Sequence, residues 1–174
     1  TARRTTSSVV TRLTLIQADC CEEARQVFER AEKNGRSGAT VQGLAACSKK
    51  LGRAEEAIST YRRWLEEHPD DVAVITELGL TLLELSRWNE AKEVLERGRA
   101  LAPASIAILA NLGTVYRTMF KYAAALEIWE TARDLDPDKP ELLVNLGSLY
   151  RDLGRTREAE VILRRAIELR SAYA

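Results

Sequence analysis

A spacing of 34 residues recurs along this chain and brings residues of the same type into register. The pair Leu78-Gly79 returns as Leu112-Gly113 and again as Leu146-Gly147. The same shift relates three alanines and two prolines, which are Ala91, Ala125, Ala159, Pro103 and Pro137. A period of this length is typical of chains that stack one small structural unit several times, so the sequence predicts a repeat protein.

Within one period, apolar residues recur at the three- and four-residue intervals of an amphipathic helix. The period that begins at Val72 carries them at Val74, Ile75, Leu78, Leu82 and Leu85. A second helix is predicted from Trp88 to Leu101, because Pro103 prevents its continuation. Each period therefore predicts a hairpin of two helices, and the chain is predicted to be all-α.

Small residues are expected to bring the two helices of each hairpin close together. Glycine inside an exposed helix costs about 1 kcal/mol relative to alanine, so Gly79, Gly113 and Gly147 indicate close packing instead. The alanines of the second helices are the predicted small partners. Large residues one turn later, such as Trp129 and Leu163, are expected to fill the space beside them.

The residues that precede the first helices are short and carry oxygen. Asp70 or Asp71, together with Ser105 and Asp138, are predicted to cap these helices by accepting hydrogen bonds from free backbone N–H groups. Pro140 suits a first helical turn because that position needs no N–H donor.

The pattern resembles the tetratricopeptide repeat family, whose units carry Leu-Gly and Tyr in a first helix, Ala, an aromatic residue and Ala in a second, and a closing Pro. The unit with the fullest set has these residues at Leu109, Leu112, Gly113, Tyr116, Ala125, Trp129, Ala132 and Pro137. The resemblance implies a right-handed superhelical solenoid of helix-turn-helix hairpins. The implied divisions are a degenerate N-terminal hairpin or cap, 1–37, and four repeats, 38–71, 72–105, 106–139 and 140–174.

Two parts of the chain depart from the family's pattern. Trp64 stands where the family has alanine, so we expect its ring to point into a neighbouring gap or the backbone there to open. The N-terminal part keeps a second-helix pattern at Ala24, Phe28 and Ala31, after a degenerate first helix from Val9 to Asp19.

The balance of charge argues against polyanionic partners. Lys and Arg number 26, as do Asp and Glu, so no strongly basic face is expected for nucleic acid or an anionic membrane. No apolar run approaches the roughly 20 residues that span a bilayer, and no signal peptide is visible. Thr1 as the first residue and Met119 as the only methionine indicate a piece of a longer chain.

Cysteine usage favours a reducing, cytoplasmic location. Cys20, Cys21 and Cys47 are odd in number and lack the paired spacing of a zinc site or a disulfide framework. The neighbours Cys20 and Cys21 leave redox activity or a thiophilic metal open. Cys47 falls on an apolar stripe and is expected in the core.

The family resemblance implies a binding site on the concave wall, which the first helices form and which holds an extended peptide or a partner's helix. The predicted partner-binding residues on this wall are Gln42, Glu77, Asn111, Thr114, Arg117, Asn145, Ser148 and Arg151. Asn111 and Asn145 are equivalent and offer both a donor and an acceptor to a peptide backbone. Arg117 and Arg151 are also equivalent and favour a ligand with carboxylates.

The same residues have a simpler interpretation, in which they are solvated or cap local backbone. The two-carboxylate clamp of heat-shock co-chaperones is disfavoured, because Glu77 or Glu141, in alternative registers, stands where that clamp needs cations. An asparagine ladder is more similar to family members that read a peptide backbone, such as the repeat region of O-linked N-acetylglucosamine transferase.

The sequence carries no pattern typical of catalysis. It has no glycine-rich phosphate loop, no nucleophile motif and no paired metal-ligand spacing. The single histidine, His68, lies in a His-Pro-Asp turn whose composition turn formation explains. We therefore expect a non-catalytic scaffold or adaptor that needs no cofactor and no metal.

Two further functions stay open from the sequence. In one, the repeats recruit substrate for a larger enzyme or regulate it. In the other, the chain is a self-assembling scaffold. Ile162, Leu163 and Leu169 are expected to leave an apolar face exposed on the C-terminal hairpin, through which a homo-oligomer would form.

Overall fold

The computed structural model describes residues 26–28, 30 and 37–172, and no β-strand occurs in this part of the chain. Within residues 37–172 there are eight α-helices, which are α1 Gly38–Lys50, α2 Ala54–Glu67, α3 Val72–Glu84, α4 Trp88–Leu101, α5 Ile106–Thr118, α6 Tyr122–Leu135, α7 Pro140–Asp152 and α8 Thr156–Ala172. The predicted all-α class is confirmed, and α4 has the bounds that the sequence predicted.

The chain divides into two compact units, the first ending at Thr81 and the second beginning at Leu82. In the first unit α1 packs against α2. In the second unit α5 packs against α6 and α7 packs against α8, which confirms the predicted helical hairpins. Successive hairpins of the second unit meet where α4 contacts α5 and where α6 contacts α7.

The cores of both units consist of apolar side chains at helical spacing. Fully buried side chains of the second unit include Leu95, Ile108, Leu112, Leu146 and Leu149. Cys47 is fully buried in the first unit, as predicted. Cys20 and Cys21 lie outside the described residues.

Two glycines mark close approaches between the helices of the second unit's hairpins. A β-carbon on Gly113 would overlap the indole ring of Trp129. A β-carbon on Gly147 would lie 2.5 Å from Cγ of Leu163. The predicted close packing is confirmed at Gly113 and Gly147, but the atoms nearest to these glycines belong to Trp129 and Leu163 and not to the predicted alanine partners.

The turn between the helices of each hairpin contains one residue in the left-handed backbone conformation. Its φ angle is 74° at Gly52, 60° at Ser86, 58° at Phe120 and 73° at Gly154. These positions lie 34 residues apart, so the same turn recurs in each period. Glycine adopts this conformation without strain. Phe120 adopts it with its side chain 78% exposed.

Among the three predicted helix caps, only Asp71 accepts a hydrogen bond in the predicted way. Its Oδ1 accepts from the backbone N–H of Val74 at 3.1 Å. Ser105 precedes α5 but makes no side-chain cap, and Asp138 instead pairs with Arg165 at 2.9 Å. The capping prediction was therefore wrong for Ser105, and it was wrong for Asp138 because Lys139 is the residue that stands at the N-cap of α7.

Trp64 is buried by contacts with the turn that follows α2. Its ring stacks on His68, with centroids 3.7 Å apart and planes 10° from parallel. Its Nε1 donates a hydrogen bond to Oδ2 of Asp71 at 2.8 Å. The ring thus points toward the turn, which is one of the two predicted ways to accommodate a tryptophan in place of alanine.

Phe28, from the predicted N-terminal hairpin, is helical and buried. Its ring lies against α1, where a β-carbon on Gly43 would overlap it. The remaining residues named for that hairpin lie outside the described residues.

The C-terminal hairpin exposes fewer apolar residues than the sequence indicated. Leu169 is only 8% exposed and packs with Leu143 and Ala166, and Ile162 lies partly buried against this cluster. The expectation that Leu169 is exposed was wrong, because α7 covers it. Ile167, by contrast, is 65% exposed.

Candidate functional site

Six of the eight predicted binding residues lie on α5 and α7, the first helices of their hairpins in the second unit. They stand three residues apart on each helix, as Asn111, Thr114, Arg117, Asn145, Ser148 and Arg151. Residues with this spacing share one helix face, and α5 and α7 contact each other directly. We call the surface that carries these six residues the first-helix wall.

The two hydroxyl groups of the first-helix wall are engaged by their own helices. Thr114 Oγ1 donates to the carbonyl of Ala110 at 3.0 Å. Ser148 Oγ donates to the carbonyl of Val144 at 2.9 Å. Each hydroxyl retains lone pairs as acceptors, so these two residues can receive a hydrogen bond from a ligand but do not offer a free donor.

Arg117 links the two helices of the wall through an ion pair. Its Nε lies 2.7 Å and its Nη2 lies 2.6 Å from Oδ2 of Asp152 at the end of α7. The Arg117 and Asp152 side chains are 34% and 25% exposed, so the pair contributes at most about 1 kcal/mol to stability. The pair also reduces the positive charge that Arg117 presents to a ligand.

Asn111, Asn145 and Arg151 are the wall residues with unused hydrogen-bonding capacity. Both asparagines are half-buried and Arg151 is exposed. No hydrogen bond or ion pair within the described residues engages the side chain of any of the three. Val144, on the same helix as Arg151, is 37% exposed. The wall therefore combines two amides, one cation and an apolar contact.

The other two predicted residues, Gln42 and Glu77, lie in the first unit. Gln42 is half-buried on α1, beside the buried Gly43. Glu77 is half-buried on α3, and its backbone carbonyl accepts a hydrogen bond from Thr81 at 2.8 Å.

Two tyrosines of the first helices bond to glutamates of the preceding second helices. Tyr116 donates to Glu96, and Tyr150 donates to Glu130 at 3.0 Å. The hydrogen bond to Glu96 raises the pKa of Tyr116, and burial raises the pKa of Tyr150. The sequence did not identify the glutamate partners of these tyrosines, although a 34-residue shift relates the two glutamates.

The described residues hold no group of His, Cys, Asp and Glu side chains arranged to bind a metal ion. His68 is packed against Trp64 as described above. Among the helices of the described part of the chain, none combines the length and the apolar composition needed to cross a membrane.

Comparison with protein families places repeats over most of the chain. Models of the tetratricopeptide repeat match residues 15–78 and 105–172. No curated protein sequence matches this chain significantly.

Solved structures with the same fold include two proteins of low sequence identity. MamA 41-end from Desulfovibrio magneticus RS-1 superposes with a TM-score of 0.79 at 20% identity, over 96% of this chain and 95% of that one. A structure titled for the functional characterization of Pseudomonas aeruginosa PilF gives a TM-score of 0.82 at 22% identity, over 94% of this chain and 75% of that one. These similarities confirm the predicted α-solenoid class.

Proposed function

Because this chain belongs to the tetratricopeptide repeat family, we propose that it is a non-catalytic scaffold that binds a peptide or a partner's helix on its first-helix wall. The family and the fold support a protein-interaction scaffold. The wall of α5 and α7 is the part of that surface whose side chains are best suited to hold a peptide.

One observation carries the choice of this surface. Asn111 and Asn145 recur at equivalent positions of adjacent helices, and no group within the described residues satisfies their amides. An asparagine amide can both donate to and accept from a peptide backbone, whatever the side chains of that peptide. Arg151 supplies a cation that favours a carboxylate in the ligand, and Val144 supplies an apolar contact.

A quantitative pull-down from the source cells tests the proposal. The wall variant carries Asn111→Ala, Asn145→Ala and Arg151→Ala. Arg117 is kept, because its removal would leave Asp152 without its partner. Three lost hydrogen-bonding side chains are expected to lower the affinity for a true wall ligand roughly tenfold or more, measured by calorimetry with the purified partner.

A matched control changes similar residues on second helices. Asn89→Ala, Glu93→Ala and Arg157→Ala lie at exposed positions of α4 and α8. Circular dichroism must show equal helicity for both variants. A partner lost from the wall variant and kept by the control supports the proposal, whereas equal recovery of all partners by both variants contradicts it.

Self-association through the C-terminal hairpin is a second candidate function. Val161 and Ile167 of α8 are 69% and 65% exposed. Their equivalents in α6 are the charged Glu127 and Arg133. Sedimentation velocity over rising concentration should show association that Val161→Lys and Ile167→Lys remove. A monomer at the highest concentration would contradict this candidate.

The remaining features of the proposal follow from the sequence. We propose a protein partner and no nucleic acid, because positive and negative side chains balance at 26 each. The odd number of cysteines favours a reducing, cytoplasmic setting. We also propose repeats at 38–71, 72–105, 106–139 and 140–174, with residues 1–37 as a degenerate N-terminal hairpin or cap.

A further inference from the structure

A groove lies on the second-helix side of the second unit, between α4 and α6. Its volume is about 420 Å³, within the range of about 300–1,000 Å³ that is usual for ligand sites. Residues of α4, α5, α6 and the turn after α4 line it, and they are Glu96, Arg99, Ala100, Pro103, Leu109, Glu127, Ile128 and Thr131. None of these residues belongs to the first-helix wall.

The groove has an apolar floor. Leu109 and Ile128 are 2% and 5% exposed, and Pro103 and Ala100 add apolar surface beside them. The last turn of α4, which contains Ala100, also borders the groove. Because a helix C-terminus carries a partial negative charge, this edge favours a cation.

Two glutamates of the groove differ in how they are engaged. Glu96 accepts from the hydroxyl of Tyr116 and pairs with Arg99 at 2.8 Å. The carboxylate of Glu127 takes part in no ion pair within the described residues. With one cation against two carboxylates, the groove has a formal charge of −1 when both glutamates are ionised, and the carboxylate that remains available is that of Glu127.

The space between α6 and α8 is the equivalent of this groove one repeat later, and we call each such space between successive second helices an interval. The α6–α8 interval shows which side chain can occupy the place beside the groove's carboxylate. After a shift of 34 residues, Thr131 of α6 corresponds to Arg165 of α8, and Ala104 corresponds to Asp138. Arg165 reaches from α8 to Asp138, in the turn before α7, with Nη2 2.9 Å from Oδ1. An arginine of the chain itself therefore spans the equivalent place between α6 and α8. Between α4 and α6, Thr131 stands at the position of Arg165, and the arginine that lines the groove, Arg99, pairs with Glu96 of its own helix at 2.8 Å.

A second change between the two intervals concerns charge. Glu127 of α6 corresponds to Val161 of α8. The α6–α8 interval, which carries Arg165 and its partner Asp138, thus has an apolar residue at this position, whereas the α4–α6 groove, which has neither, carries the carboxylate of Glu127. The difference gives the α4–α6 groove the charge complementary to a guanidinium.

From these contacts we propose that the α4–α6 groove is a docking site for an arginine side chain of a partner protein. The aliphatic part of that arginine lies over Leu109 and Ile128, and its guanidinium reaches the carboxylate of Glu127. Arginine suits this geometry because its aliphatic stem can lie along apolar surface while its guanidinium donates to a carboxylate. The site is separate from the first-helix wall, so a partner can contact either surface alone.

The first test is an NMR titration of the complete chain with N-acetyl-L-arginine methylamide. The comparison probe is the citrulline analogue, which has nearly the same shape without the charge. The arginine probe is expected to shift the backbone amides of Leu109, Ile128 and Thr131, with a dissociation constant roughly three- to fivefold below that of citrulline. Equal affinity of the two probes, or shifts confined to the first-helix wall, would overturn the proposal.

A matched pair of variants tests the charge. Glu127→Gln keeps the shape of the side chain and removes its charge, and it should abolish the preference for arginine over citrulline. Glu93→Gln, at the equivalent exposed position of α4, should leave that preference unchanged. Retention of the preference by Glu127→Gln would also overturn the proposal.

A self-closing variant tests the analogy with Arg165. Ala104→Asp together with Thr131→Arg recreates in the α4–α6 groove the ion pair seen between Asp138 and Arg165. This variant should no longer bind the arginine probe, while its circular dichroism spectrum stays that of the wild type. Binding equal to the wild type would show that the groove is not the site. The wall variant should bind the probe normally, which separates this proposal from the proposed function.

Discussion

Replacing Gly113 by alanine should destabilise the second unit, although alanine is the better helix former. The new β-carbon would overlap the indole ring of Trp129, which is only 1% exposed and has little room to move. The same ring is also held by a hydrogen bond from its Nε1 to the carbonyl of Ala110 at 3.0 Å. Displacement of the ring therefore disturbs both packing and a partly buried hydrogen bond.

The magnitude follows from three contributions. Alanine in place of glycine inside a helix stabilises by about 1 kcal/mol. Over-packing against the buried ring costs about 1–3 kcal/mol, and weakening of the Trp129 hydrogen bond costs about 1 kcal/mol. The free energy of unfolding of Gly113→Ala should therefore fall by roughly 1–3 kcal/mol.

Gly147→Ala is the matched control, because the steric conflict there involves a different side chain. Its β-carbon would meet Leu163, which is only partly buried and can rotate away. We expect the free energy of unfolding to change by less than about 1 kcal/mol, since the gain in helix propensity offsets most of the strain.

Urea denaturation followed by far-ultraviolet circular dichroism measures both variants. A further substitution, Trp129→Phe, should be less harmful in the Gly113→Ala background than in the wild type, because the smaller ring leaves room for the new methyl group. A Gly113→Ala chain as stable as the wild type, or more stable, would refute this account of the close approach.

Two other predictions concern hydrogen bonds of single side chains. Asp71→Ala removes the acceptor of Trp64 and of the Val74 backbone N–H, and it should cost about 1–3 kcal/mol in urea denaturation; unchanged stability would contradict the role of this carboxylate. The pKa of Tyr116 is raised by hydrogen bonding to a carboxylate and that of Tyr150 by burial, so both favour the protonated form in the folded chain. Their contribution to stability is complete below pH about 10 and is lost as the pH rises through the raised pKa values of the folded chain. The stability of the double variant Tyr116→Phe/Tyr150→Phe should therefore fall less steeply at alkaline pH than that of the wild type. Parallel pH profiles for that double variant and the wild type would refute it.

The helices could be predicted from the 34-residue repeat, but the partners of the polar side chains could not. The bounds of α4 follow from local features, namely an apolar stripe and Pro103 just after its end. Asp138 was expected to cap α7, because sequence alone does not show that Arg165 lies within 2.9 Å of it. The pairing of Arg117 with Asp152 likewise depends on the distance between two helices. Local propensities therefore predicted the fold. Which charged side chains of the candidate site are already paired could be learned only from distances between helices.

Selection for heat resistance in the laboratory would act early on Phe120. A residue with a β-carbon pays roughly 1–2 kcal/mol for the left-handed conformation, and a side chain that is 78% exposed recovers little of this by burial. Gly52 and Gly154 show which residue the same turn accepts without strain. If stability alone were selected, glycine would replace this phenylalanine. A phenylalanine that is retained in evolved variants of this chain would therefore indicate selection for a role other than stability.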